Sequence, residues 1–353
     1  MKTKFLSTAI GSMPFEDAAY AVGVSLDRLN APIWPQLPRL GMNEQMEVQY
    51  SEGIPCVVRD YDKHRMFLDT SVDYSEDFAA FYESYLTASE AGDDGDFEFA
   101  AISPEFSQGI YAMEAALQAK GEQLPWLKVQ TTGPISFALT IVDENKRALY
   151  YNEEFRDVVV KALAAKCRWQ IRKFRPYAQN IICFIDEPIL SAFGSSTYVS
   201  VKRDDVVAIL AEVIEAVHAE GALAGIHCCG NTEWSILIDA GVDIVNFDAF
   251  GYGDTIAMYA DSVKAHLERG GNLAWGVVPT SKVIREQTAA TLEAQLEKVM
   301  DNLAAKGIDK KLITEQAIVT PSCGTGSLEA EDAERVFALL QELSTNLKAK
   351  YGY

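Results

Sequence analysis

The sequence predicts an α/β chain folded as one (β/α)8 TIM barrel, and three features carry that prediction. Short apolar runs alternate with longer helical patterns almost throughout, the runs number eight, and the chemically capable polar residues fall at the ends of runs. The first run, Leu6 to Ile10, leads into Gly11-Ser12-Met13-Pro14. That is no glycine-rich dinucleotide loop, so a doubly wound sheet is disfavoured. Phe97 to Ile102 is the second run. The third, Leu127 to Thr131, precedes Thr132-Gly133-Pro134, and the fourth, Ile181 to Ile185, precedes Asp186-Glu187-Pro188. Leu223 to His227 ends at the imidazole itself, Ile244 to Phe247 runs into Asp248, and Leu273 to Val278 follows. The eighth, Ala317 to Thr320, precedes Pro321-Ser322-Cys323-Gly324. Among the helices, Asp204 to Ile214 has two acids where the helix dipole favours them and apolar residues at helical spacing. Thr291 to Leu303 and Glu329 to Leu347 read the same way.

Residues 28 to 95 exceed what one loop and one helix need, so they read as an insertion over the barrel mouth. They contain Trp34-Pro35-Gln36-Leu37-Pro38, an aromatic patch (Tyr74, Phe78, Phe81, Tyr82, Tyr85) and the start of an acidic stretch, Glu90 to Asp96, that reads as a solvated turn. No repeat, low-complexity tract or linker divides the 353 residues, and a single domain, 1 to 353, is expected.

Composition excludes several classes. A formal charge of −20 argues against nucleic-acid binding, which needs Lys and Arg in excess. No apolar run approaches the length of a membrane span. Met1 to Leu6 lacks the pattern of a signal peptide, so six reduced cysteines and a cytoplasmic location are expected.

Histidine is scarce, and of His64, His218, His227 and His266 only His227 ends an apolar run beside thiols. His227 and Cys229 are one residue apart and so share a face of an extended strand, while Cys228 points the other way and reads as core. Cys323 closes a similar run far downstream, so only the fold could unite the three. One imidazole and two thiolates form a borderline-soft set that suits Zn²⁺. Core packing of the thiols is the plainer alternative. Asp248 is the candidate fourth ligand, with an N-cap or a loop salt bridge equally open. Asp186 and Glu187 are adjacent carboxylates that could form an acid/base pair, grip an amine, or cap a helix. Ser12 could donate to a ligand carboxylate. Gly324-Thr325-Gly326-Ser327 is a phosphate loop only superficially, since no Lys follows.

Four motifs in this order, Ile10-Gly11-Ser12, Ile185-Asp186-Glu187-Pro188, His227-Cys228-Cys229 and Pro321-Ser322-Cys323-Gly324, resemble the catalytic barrel of cobalamin-independent methionine synthase. That barrel belongs to the uroporphyrinogen-decarboxylase-like superfamily, and the likeness spans nearly the whole chain. The His-x-Cys with a distant Cys is its specific part, and it is also similar to the zinc motif of corrinoid-linked thiol methyltransferases. The resemblance implies that His227, Cys229 and Cys323 hold zinc, with Asp248 standing where the synthase has Glu. It implies that Ser12, in the Ile10-Gly11-Ser12 motif, and Asp186 hold the carboxylate and amine of homocysteine, with Glu52 near a second amine-binding acid. The chain resembles the short, core versions of the enzyme, which carry the Trp34-Pro35-Gln36-Leu37-Pro38 segment but no folate-binding N-terminal barrel. Methylcobalamin, carried on a corrinoid protein, is therefore the expected methyl donor and methionine the expected product. Another thiol such as coenzyme M, or methylfolate as donor, is the alternative within this chemistry. A non-catalytic zinc or corrinoid binder and a decarboxylase-like lyase are the alternatives outside it.

Overall fold

The computed structural model describes residues 2–353. Nine strands form: β1 (Leu6–Ser7), β2 (Val57–Asp60), β3 (Arg65–Leu68), β4 (Leu124–Thr132), β5 (Ala178–Asp186), β6 (Leu223–Cys228), β7 (Ile244–Phe247), β8 (Asn272–Val278) and β9 (Ala317–Pro321). Seven make one parallel sheet in the order β1-β9-β8-β7-β6-β5-β4, and β2 and β3 pair as a separate antiparallel hairpin.

The sheet curls toward a barrel, but among the described residues no regular strand joins its edges β1 and β4. The extended stretch 31–36 fills that gap. On one side the Ala31 N–H donates to the Ser7 carbonyl and the Gln36 N–H to the Gly11 carbonyl; on the other, the Lys128 N–H donates to the Pro32 carbonyl. Phe97 to Ile102, expected as the second strand, is instead a 3₁₀ turn at Glu98–Ala100. Its apolar side chains Phe97, Ala100 and Ile102 cover the core without joining the ladder. The segment 28–95 thus contributes to the barrel wall as well as supplying the hairpin and the helix Ser75–Glu90.

Helices clothe the outside. The pattern read at Asp204 to Ile214 is the helix Arg203–Ala219, with Asp204 and Asp205 in its first turn. Ala289–Ala305 is capped by Thr288 and Ala330–Tyr351 begins after Glu329. The large core lies between sheet and helices, while a small cluster that includes Ile10, Ile182, Phe184, Ile244 and Ile318 fills the inside of the curl. Gly225 makes room there: a Cβ on it would sit 2.4 Å from the Phe184 ring. No helix among the described residues is long and apolar enough to cross a membrane.

Candidate metal centre

Parallel pairing aligns Asp186 with His227 and His227 with Asn246, so β5, β6 and β7 present these three residues side by side in one row. The backbone there is pinned from both flanks, with the Gly133 N–H donating to the Asp186 carbonyl and the Glu187 N–H to that of His227. Asn246, fully buried, settles the imidazole's tautomer. Its amide donates to the Ala274 carbonyl and the Thr320 hydroxyl, both at 2.9 Å. Its Oδ1 therefore faces His227 Nδ1 at 2.5 Å, and Nδ1 must carry the hydrogen. His227 Nε2 is left as a bare lone pair, buried and without a partner. A histidine oriented through its far nitrogen in this way is the usual form of a metal ligand.

Cys229 follows β6 and Cys323 follows β9. The ligand atoms of His227, Cys229 and Cys323 all lie within 4.8 Å of one another. A hydrogen bond with the Cys323 thiol is the largest influence holding the Cys229 thiol down, and burial works against it. The same contact keeps the proton on Cys323, whose thiol is pushed up. A bare imidazole nitrogen beside a thiolate and a thiol, able to displace one proton and close on a cation, fits a borderline-soft divalent ion with one coordination position to spare. Cys228 points into the core, and burial pushes its thiol up to about 12.

The three donors line one cavity of about 480 Å³ together with Ile10, Ser12 and Asp186. Ser12 is fastened by the loop after β9: its carbonyl accepts from Thr325 N–H at 2.8 Å, and its Oγ accepts from Gly326 N–H at 3.3 Å. Its own hydroxyl hydrogen stays available to a ligand. Asp186 is buried with Oδ1 unpartnered, and burial pushes its carboxyl up while His227 and Lys128 pull it down. Glu187 takes no part in the cavity. It accepts from the Ile135 and Ser136 N–H groups and the Ser136 hydroxyl, holding the start of the helix Pro134–Thr140.

Two residues expected at the site are held by other groups, Asp248 near enough for Cys229 and His227 to act on its carboxyl and Glu52 away from the cavity. Asp248 caps the short helix Ala249–Tyr252, its Oδ1 accepting from Gly251 N–H at 2.7 Å, and it stands outside the 4.8 Å cluster. Glu52 accepts from Ser103 N–H at 2.7 Å and does not line the cavity. The second acid in the cavity wall is Glu44, nearly buried, accepting from Gln108 N–H and Gln49 Nε2, with burial pushing it up to about 6. Sequence reasoning missed Glu44 and Asn246. Asn246 had a readable signal, since it is a polar residue inside the apolar run Ile244 to Phe247.

No protein-family profile matches the chain, and no curated protein matches it in sequence. Among solved structures, a methyltransferase from Methanosarcina mazei is similar over 97% of this chain and 94% of that one, with a TM-score of 0.54 and 14% identity. A protein solved in complex with a cellotriose covers 94% of this chain and 100% of its own at 13% identity, but its TM-score of 0.39 is too low to carry an argument. At such identities the first likeness speaks to the fold alone.

Proposed function

We propose that this chain is a zinc-dependent methyltransferase that moves a methyl group from a methylated corrinoid to the thiol of homocysteine, giving methionine. The observation that carries the reading is the convergence of His227 Nε2, Cys229 Sγ and Cys323 Sγ on one cavity, with the imidazole's lone pair bare and aimed by Asn246. The Methanosarcina mazei structure that shares the fold is itself described as a methyltransferase, which is consistent with the reading.

When bound, zinc held by these three residues would keep a substrate thiol as a nucleophilic thiolate at neutral pH, where a free thiol is mostly protonated. The protein's own groups do the positioning. Asp186 and Glu44, the two carboxylates of the cavity wall, would take the substrate's ammonium, and the Ser12 hydroxyl would donate to its carboxylate. The amino acid is then held at one end while its sulfur faces the metal ligands, so attack on a methyl group entering from the mouth needs little further ordering. A methylated corrinoid would supply the methyl group and retain the electron pair of its carbon–cobalt bond, so that transfer to the sulfur balances.

The test is the visible spectrum of methylcobalamin mixed with zinc-loaded protein, with and without homocysteine. Loss of the methylcobalamin spectrum only when homocysteine is present, with methionine formed, is the expected result. Stable methylcobalamin in the presence of homocysteine and a full complement of zinc would overturn the reading of donor and acceptor.

A further inference from the structure

Lys128 lies inside the curl of the sheet, on β4, with no exposed surface. Its ammonium donates to the Ile10 carbonyl at 2.6 Å and to Gln130 Oε1 at 3.2 Å, and it sits 4.6 Å from the centre of the Phe184 ring. Among the described residues no carboxylate lies within ion-pair distance of it. Burial pushes Lys128 down to about 8, while the Asp186 carboxylate acts to keep its proton on. An unpaired buried ammonium is costly, and a methionine would fill the same space among Ile10, Ile182 and Phe184 without that cost. The proposed mechanism gives this charge no task.

Its contacts run to the cavity wall. Ile10 lines the cavity and leads directly to Ser12, and Gln130, the second acceptor, donates in turn to the Trp34 carbonyl, two residues before Gln36 of the same wall. That wall has no Lys or Arg, whereas Asp186, Glu44, Cys229 and Cys323 can all carry negative charge. An anionic group entering such a cavity meets repulsion from every ionisable neighbour except the imidazole and the metal. Lys128 is the cation bonded to the Ile10 to Ser12 segment, through the Ile10 carbonyl.

We propose that Lys128 is a positioning residue that makes the Ile10 to Ser12 wall receptive to a carboxylate, so that the site selects thiols bearing a carboxylate over thiols that lack one. Its hydrogen bond fixes and polarises the Ile10–Gly11 peptide, and its charge offsets the acids across the cavity. The inference rests on the thiol reading above for the identity of its ligand.

Binding of two matched thiols to zinc-loaded protein, followed by calorimetry without any methyl donor, tests it. They are L-homocysteine and 3-aminopropane-1-thiol, which is homocysteine without its carboxylate. Wild type is expected to bind homocysteine more tightly. Lys128→Met is expected to lose about tenfold in homocysteine affinity, as for a hydrogen-bonded charge, with the aminothiol changed less than about twofold. A purely structural lysine would weaken both thiols together. Equal binding of both thiols by wild type, an undiminished preference in K128M, or a proportional loss of both would each overturn the proposal. If K128M does not fold, Lys128→Gln, which keeps an N–H donor without the charge, takes its place. Binding of neither thiol to wild type would count against the thiol chemistry. The carboxylate preference is then read with L-norleucine against 1-aminopentane, and its absence there would overturn the role of Lys128 as well.

Discussion

Replacing Asn246 with leucine removes the group that aims the His227 imidazole while keeping a side chain of similar size. Three hydrogen bonds disappear, at 2.5, 2.9 and 2.9 Å, to His227 Nδ1–H, the Ala274 carbonyl and the Thr320 hydroxyl. At about 1 kcal/mol net for each bond, the metal-free protein should lose roughly 3 kcal/mol of stability. The imidazole, free to turn or to change tautomer, should lose about 10- to 100-fold in metal affinity, as for other partners of metal-ligating histidines. The assay is chelator competition for zinc, with thermal melts of metal-free and loaded protein. Asn246→Asp separates the two effects. Its carboxylate still accepts from Nδ1–H but sets its other oxygen against the Ala274 carbonyl, so metal affinity should survive while stability falls. A folded N246L protein with wild-type zinc affinity would refute the tautomer reasoning, and with it the assignment of Nε2 as a ligand.

Other expectations concern the same framework. Cys229→Ser and Cys323→Ser should each abolish stoichiometric zinc binding by metal analysis, whereas Cys228→Ser, whose thiol points into the core, should retain it. Gly133→Ala should unfold at lower temperature. Its Cβ would fall 2.1 Å from the Glu187 carboxyl carbon and force that group off the helix Pro134–Thr140, at a cost of roughly 2–4 kcal/mol for several charge-assisted hydrogen bonds. Burial raises Glu187 from 4.5 to about 7. The folded state therefore holds this proton more tightly than the unfolded chain, and stability should fall as pH rises from about 4.5 to about 7 and level off above. The effect is worth roughly 3 kcal/mol at most by linkage, and it should be read as the difference in urea midpoint slope between wild type and Glu187→Gln. An identical slope in the two proteins would mean that Glu187 does not titrate in that window.

The donor cluster was legible because it obeys two simple rules: a period-two strand and functional residues at carboxyl ends of strands. Those rules point to His227, Cys229, Cys323, Asp186 and Ser12, and all five line one cavity. They failed where the chain does not behave as a regular strand. Ala31 to Gln36 was unreadable as part of the wall because Pro32 and Pro35 lack N–H groups and imitate a loop, although the remaining groups still bond to both neighbours. Phe97 to Ile102 was read as a strand because its apolar density satisfies a core from a 3₁₀ turn equally well. Glu44 and Lys128 were invisible for another reason. Charged residues are ordinarily taken to face water, and only packing shows these two to be buried. Asp248 reads equally as a ligand or a cap because capping and coordination ask for the same residue at the same kind of position, and the cap is the role seen, with one oxygen taken up by Gly251.

The stretch 31–36 divides the labour of the barrel. His227 and Cys323 stand on or just beyond strands of the seven-stranded parallel ladder, which shifts register only between Gly276 and Val278, while Ile10, Ser12 and Gln36 stand beside the join made by a proline-bearing segment with few backbone bonds. The metal-binding half of the cavity is therefore the stiff half and the ligand-recognising half the compliant one. Native-state amide exchange should show this directly, with Ala31 and Gln36 opening before Ile226 and Val245. A site so built can loosen its grip on one end of a ligand without disturbing the geometry of its metal donors, and changes of substrate in its evolution would have begun at that join.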